Sequence, residues 1–296
     1  MIKILVAILV MWSSVVFAKA QSKRVAFTSS EVKLLIDSLN DSYWTKERLT
    51  SLFSDPRLKK MPGMVTIDVT KPVILKASQY AHFAEGPALN RARQFGAKHW
   101  EELEAAGKMF KVDPEIMLAI MLVETNLGTF TGRNPLMSVF SSVYVDSSAL
   151  LTNGTKLTTK MKKRVKRKKG WALGELKALL KIRKKYSNDL YSLKGSYAGA
   201  MGICQFLPSS YVSYAKRKPG LAGAPDLFQA PDAIYSIASY LKGHGYKLGK
   251  FDRRNRKAIF AYNRSDVYVN IVLKIASRLN KNFAVVNTPP KKTTSH

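Results

Sequence analysis

A mainly α-helical fold is predicted by three features of this 296-residue chain. Apolar residues recur at three- to five-residue spacing over most of its length. Alternating strand patterns are almost absent, and there is no internal repeat or coiled-coil heptad. One run, Ile116 to Val123, is apolar on every side of a helix and predicts a buried core element. With 46% hydrophobic residues the chain can bury a sizeable core.

Taken in order, Met1 to Ala20 has the outline of a signal peptide. Lys3 supplies the positive start, Ile4 to Val10 the apolar stretch, and Ala18-Lys19-Ala20 a cleavage site. Residues 21–28 read as a flexible N-terminus of the mature chain. Ser29-Ser30-Glu31 opens a helix whose apolar face carries Val32, Leu34, Leu35, Ile36 and Leu39. A short helix over Thr45 to Phe53 ends at Asp55-Pro56. Met61 to Pro72 reads as a loop with one extended piece, Met64 to Val69. A long helical pattern covers Pro87 to Lys108.

The core helix follows at 113–126. Asp113 suits its N-cap, Pro114 its first turn, and Gly128 the position after its end. A short helix is expected from Pro135 to Val143. A basic insertion at about 147–170 then breaks the pattern, with eight cations in ten residues at 160–169. Its composition predicts a solvated loop. Helical periodicity returns from Trp171 to Tyr186, and again at Pro208 to Ala215, Pro231 to Gly243, Arg256 to Tyr262 and Asp266 to Leu279. The tail, 287–296, reads as disordered.

Glu124 stands directly after the apolar run. Burial and the negative end of the helix would both raise its pKa, the condition for a carboxylic acid that can donate a proton near neutral pH. A surface Glu capping a core helix would look the same. The lone cysteine, Cys204, excludes an intramolecular disulfide and reads as a small buried hydrophobe. The four His are scattered, so no zinc spacing is present and no cofactor is expected. No other segment reaches about 18 uninterrupted apolar residues, so the mature chain is not expected to span a membrane. A net charge of +29 draws the protein to polyanions. Nucleic acid is not the expected partner: the basic run lacks interleaved aromatics, and the leader points to export.

Three motifs stand in order: Val123-Glu124-Thr125-Asn126-Leu127-Gly128, then Lys194-Gly195-Ser196-Tyr197-Ala198-Gly199-Ala200-Met201-Gly202-Ile203-Cys204-Gln205-Phe206-Leu207-Pro208-Ser209-Ser210-Tyr211, then Ala261-Tyr262-Asn263-Arg264-Ser265 with Tyr268. Together they resemble the lytic murein transglycosylase B family, with a looser match over about 30 to 280; with the leader expected to be cleaved after Ala20, the chain is expected to be a periplasmic member, soluble or peripherally associated with the envelope. The resemblance implies a lysozyme-like catalytic domain with additional packed helices over 29–286. It implies cleavage of the β-1,4 bond between N-acetylmuramic acid and N-acetylglucosamine in peptidoglycan glycan strands, leaving a 1,6-anhydromuramoyl end. Glu124 would be the single acid and base. Ser196, Gln205, Tyr240, Tyr262, Asn263, Tyr268 and, more loosely, Tyr80 would bind the sugar chain.

The residues offer alternatives to several of these roles. Ser196 equally suits a tight turn, and the tyrosines suit ordinary packing. A hydrolase would need a second carboxylate across the bond. Glu115 lies at the far end of the same helix, and Asp146 and Asp189 stand in no partner motif. A hydrolytic muramidase, or a non-catalytic polyanion-binding envelope protein, are the competing functions. The chain also departs from the family twice. Tyr144-Val145-Asp146-Ser147 lacks an arginine pair that some members carry, leaving the basic run as a candidate to grip anionic envelope polymers or stem-peptide carboxylates. The loop Lys216 to Asp226 has one carboxylate where some members bind calcium, so no metal site is expected.

Overall fold

The structure, a computed structural model, describes residues 24–65, 77–249 and 252–286. The expected leader at 1–20, residues 21–23 of the flexible N-terminus, residues 66–69 of the expected extended piece, and the tail at 287–296 lie outside them. The chain forms two compact units. The first comprises residues up to 74 together with 131–213; the second comprises 75–130 together with 214–296.

In the first unit, α1 (Ser29–Leu39) starts at a reciprocal cap. Thr28 Oγ1 accepts from the Glu31 amide, and Glu31 accepts from the Thr28 amide. After α2 (Lys46–Phe53) the centre of the unit is an antiparallel pair, α6 (Leu136–Thr152) and α7 (Thr159–Tyr186). Leu136 to Val145 is buried throughout. The buried hydroxyls Ser138 and Ser142 accept from the amides of Lys59 and Met61, tying down the segment after α2.

The basic run corrects the expectation of a loop. Residues 159–186 form one 28-residue helix, with Thr158 accepting at its N-cap from the Met161 amide. Lys and Arg are good helix formers, and Val165, Ala172, Leu176 and Leu179 give the run a buried stripe against α6. Trp171 packs edge-on against Phe140 with ring centroids 5.4 Å apart. Charge repulsion is thus confined to the solvent side, where Lys163, Lys166, Arg167, Lys177, Lys181 and Lys184 are exposed. Among the described residues the one sheet is minimal: β1 (Asn134–Pro135) pairs antiparallel with β2 (Lys194–Gly195).

In the second unit, α5 (Pro114–Thr125) is the core helix that its sequence predicts. Every residue from Ile116 to Thr125 is buried. It packs on α3 (Gly86–Lys98), α4 (Trp100–Phe110), α9 (Ala230–Gly243) and, most extensively, α11 (Asp266–Val286). The single helix expected over 87–108 is two, broken at His99, whose ring meets Phe95 at 4.6 Å. Helix α8 (Pro208–Tyr214) leads into this unit, and α10 (Arg253–Tyr262) precedes α11.

Both ends of α5 differ in detail from expectation. Asp113 occupies the N-cap position, but its carboxylate accepts from Tyr246 Oη at 2.7 Å and from the Gly249 amide. At the far end Asn126, not Gly128, takes the first left-handed position, with φ of 49°. The Leu127 amide then bonds Met121 O across the last turn. Arg91 holds the Asn126 side chain through Nε and Nη2 at 3.2 and 3.1 Å. Leu127 itself sits at φ 61°, a strained conformation for a branched side chain. Among the described residues no helix is long and apolar enough to cross a membrane.

Candidate active site

Glu124 lies in the last turn of α5, where main-chain carbonyls present negative charge. It is fully buried. Burial pushes its pKa from 4.5 up to about 8, against the opposing effect of a hydrogen bond from Tyr268. Tyr268 Oη donates to Glu124 Oε1 at 2.7 Å. Oε2 has no hydrogen-bond partner among the described residues. A carboxyl held neutral, bonded through one oxygen and unpartnered at the other, carries a proton near neutral pH, the state that general acid chemistry requires.

Two tyrosines in the same unit, Tyr268 and Tyr80, act on this group, and an aromatic cluster continues from them. Tyr268 is fully buried, and its pKa stands well above the usual value through burial, the Glu124 carboxylate, and the nearby Tyr80 and Tyr240. Tyr80 is buried with an unpartnered hydroxyl, pushed up to about 12 by burial and then by Glu124. Tyr240 donates to Ala261 O at 2.6 Å and stacks on His244 with centroids 4.2 Å apart. Its ring edge meets Tyr262 and Tyr214, each at 4.8 Å. Asn263 is only 3% exposed, yet both polar atoms of its amide lack a partner among the described residues. Orphaned polar atoms cost stability when they remain buried. Glu124, Tyr80 and Asn263 each carry such an atom, and a polar ligand there could supply the missing bonds.

The first unit carries the other two candidates. Gln205 is buried at φ 49°. Its Nε2 donates to Thr131 O and Gly202 O at 3.2 and 3.0 Å, leaving Oε1 unpartnered. Ser196 closes a turn: its amide donates to Ala200 O at 2.7 Å, and its Oγ accepts from the Ala200 amide at 3.2 Å. The structure therefore brings Tyr268 and Tyr80 to the Glu124 carboxyl, with Tyr240 next to Tyr268, Tyr262 against Tyr240, and Asn263 beside Tyr262 in the chain. Ser196 and Gln205 belong to the other unit's 194–206 substructure. Sequence reasoning missed Tyr214 and His244 as parts of the aromatic group, since neither stands at a position that periodicity singles out.

The other carboxylates considered as a second acid are engaged. Asp146 pairs with Lys60 at 3.2 Å, and Asp189 with Arg57 at 2.6 Å. Glu115 starts the same helix nine residues before Glu124, about 13 Å along the axis at 1.5 Å per residue, beyond the separation that glycosidases use. Among the described residues no group of three or more His, Cys, Asp or Glu could hold a metal ion. The 216–226 loop is organised by Asp232, which accepts from Arg217 Nη1 at 2.8 Å and from the amides of Lys218 and Asp226.

Residues 30–254 match the sequence profile of the Transglycosylase SLT domain. The chain belongs to this family. It is 32% identical over 160 residues to membrane-bound lytic murein transglycosylase B of Escherichia coli (strain K12). That match covers 53% of this chain but 39% of the relative's length. Among solved structures, lytic transglycosylase SltB1 from Pseudomonas aeruginosa superposes with a TM-score of 0.72 at 24% identity, covering 86% of this chain and 98% of that one. Slt35 of Escherichia coli, in complex with bulgecin A, gives 0.68 at 21% identity, covering 85% and 93%. SltB3 from Pseudomonas aeruginosa, in complex with NAG-NAM-pentapeptide, gives 0.63 at 21% identity, covering 85% and 78%. The mainly α, lysozyme-like fold expected from the sequence is the fold of this family.

Proposed function

We propose that this chain is a peptidoglycan lytic transglycosylase of the periplasm, exported by the leader at 1–20, with Glu124 as its only acid and base. The family assignment supports the reaction class, and the state of Glu124 carries the mechanism. Oε2 of the neutral carboxyl gives its proton to the glycosidic oxygen between N-acetylmuramic acid and N-acetylglucosamine. The C1–O bond breaks and the muramoyl ring becomes oxocarbenium-like. Glu124, now charged and still held by Tyr268, takes the proton of the C6 hydroxyl as O6 closes on C1. One proton is given and one recovered, and no water is consumed.

In this reading Tyr268 acts through Glu124, whereas Tyr80, Asn263 and Gln205 offer their unpartnered atoms to the sugars. Tyr240 and Tyr262 supply aromatic walls, and Ser196 shapes the turn that presents its neighbours. Analysis of released muropeptides by mass spectrometry tests the proposal. Products ending in 1,6-anhydromuramic acid, one water lighter than hydrolytic ones, are expected. Hydrated ends alone would identify a muramidase.

The exposed side of α7 is the reading's contact with anionic envelope polymer. At 1.5 Å per residue its 28 residues span roughly 42 Å. Its sole acidic residue, Glu175, is buried and accepts from Ser209 at 2.8 Å. Replacing Lys160, Lys162, Lys163, Lys166 and Arg167 by Gln is expected to weaken sedimentation with intact sacculi and to flatten its salt dependence. The same variant should keep its turnover on short soluble glycans. Unchanged sedimentation would remove this role from the helix.

A further inference from the structure

A cavity of about 430 Å³ lies wholly within the first unit and shares no residue with the groups assigned to bond cleavage. Its size is that of a small-molecule site. Three arginines face it: Arg48, Arg57 and Arg183. They are not equivalent. Arg57 is committed to carboxylates, bonding Asp55 through Nε and Nη2 and Asp189 through Nη1 and Nη2. Through these bonds it holds both carboxyls below their usual range.

Arg48 and Arg183 have no carboxylate partner among the described residues. Each is anchored by a single bond to a main-chain carbonyl. Arg48 Nη1 donates to Tyr43 O, and Arg183 Nη1 donates to Asn188 O, both at 2.9 Å. Arg48 also lies over the Tyr43 ring at 4.7 Å, and Lys184 lies over the same ring at 4.0 Å. The nearby Asp41 does not cancel this charge by direct contact, being turned to the amides of Tyr43 and Trp44. Arg48 and Arg183 are thus held with most of their donors unspent, in a site where Arg57 is shared by both Asp carboxylates and three Arg outweigh two Asp. Preorganised forks of this kind match the two oxygens of a carboxylate. Trp44, Leu52 and Tyr191 supply apolar wall beside them, surface that an inorganic anion would leave uncovered and small aliphatic side chains would fill.

We infer that this cavity binds the free carboxylate end of a short peptide. The choice of peptide rests on the peptidoglycan reading above, whose glycan strands carry such stems. The site would hold the polymer by its peptides while the glycan is cut elsewhere.

The test is calorimetric titration of the full chain carrying Glu124→Gln with diacetyl-Lys-D-Ala-D-Ala, its C-terminal amide, and inorganic phosphate at matched ionic strength. The free acid is expected to bind at least tenfold more tightly than the amide or phosphate. The double variant Arg48→Gln/Arg183→Gln is expected to lose at least tenfold in affinity for the acid while keeping its circular dichroism and melting temperature. Equal binding of acid and amide would overturn the inference, as would undiminished binding by the double variant. Phosphate binding as tight as the peptide would reassign the cavity to small anions and overturn it too. Should the double variant misfold, Arg48→Lys/Arg183→Lys keeps the charge without the fork, and full affinity in that variant overturns the role of the forks. The probe has no glycosidic bond, so a failed transglycosylase reading would show in the muropeptide products and not here.

Discussion

Glu124→Gln is expected to lower release of muropeptides from purified sacculi by about 10²- to 10⁴-fold, the range that general acid–base groups contribute. The amide preserves size and can still accept from Tyr268, but it has no proton to give. The pH dependence follows from the same carboxyl. Because its pKa in the folded chain is about 8, the acid form prevails below that value. kcat/KM of the wild type should be level on the acid side and fall tenfold per unit above about pH 8. Tyr268 favours the charged form, so Tyr268→Phe should move this limb upward. Stability must respond as well. Between pH 4.5 and about 8 the folded chain keeps a proton that the unfolded chain has lost. Folding therefore weakens as pH rises through that window, by a total approaching about 5 kcal/mol. Glu124→Gln lacks this proton, so urea denaturation should find the variant and wild type closest near pH 4.5, with the variant gaining on the wild type up to pH 8 and no further. Full turnover in the variant would place the essential proton on another residue.

How far the sequence speaks depends on whether the deciding contact is local. The core helix was legible because Asp113-Pro114, the apolar run and Glu124 are local signals. Its end falls one residue before the expected one, at Thr125, with Asn126 left-handed and its side chain held by Arg91, 35 residues away, and no local rule reports such a contact. The basic run at 160–169 reads as a loop for the same kind of reason. Composition describes its solvent side, but Val165 and Leu176 stabilise the helix only once α6 lies against them. At the site, the motifs pointed to Glu124, Gln205 and Asn263. They could not say that Tyr268 would donate to the acid, or that Ser196 would spend its hydroxyl on the Ala200 amide.

Gly132→Ala is expected to be the most damaging single-methyl change outside the acid's surroundings. The β1–β2 pair brings Asn134 opposite Gly195, and two backbones cross there almost in contact. A Cβ on Gly132 would lie 2.2 Å from the carbonyl carbon and oxygen of Gly195 and 2.3 Å from the Ser196 nitrogen. These are main-chain atoms and cannot rotate away. Gly195 has no slack to retreat, since a Cβ there would meet Ala200 O at 2.3 Å. The φ of 88° at Gly132 adds strain of its own. Together these should cost about 3 kcal/mol or more. Gly154→Ala is the control, because Gly154 shares the left-handed conformation, φ 67°, but has nothing within 4 Å of its added carbon. It should lose only about 1 kcal/mol. The functional consequence is specific. Gln205 is anchored on Thr131 O, the neighbour of Gly132, and the Ser196 amide is anchored on Ala200 O. Forcing the crossing apart therefore displaces both candidate sugar contacts of this unit. Hydrogen exchange should rise at the Ser196, Met201 and Phe206 amides, and KM for glycan should increase under conditions where the variant remains folded. If Gly132→Ala proves no more disruptive than Gly154→Ala, the backbone crossing is not what positions the 194–206 motif.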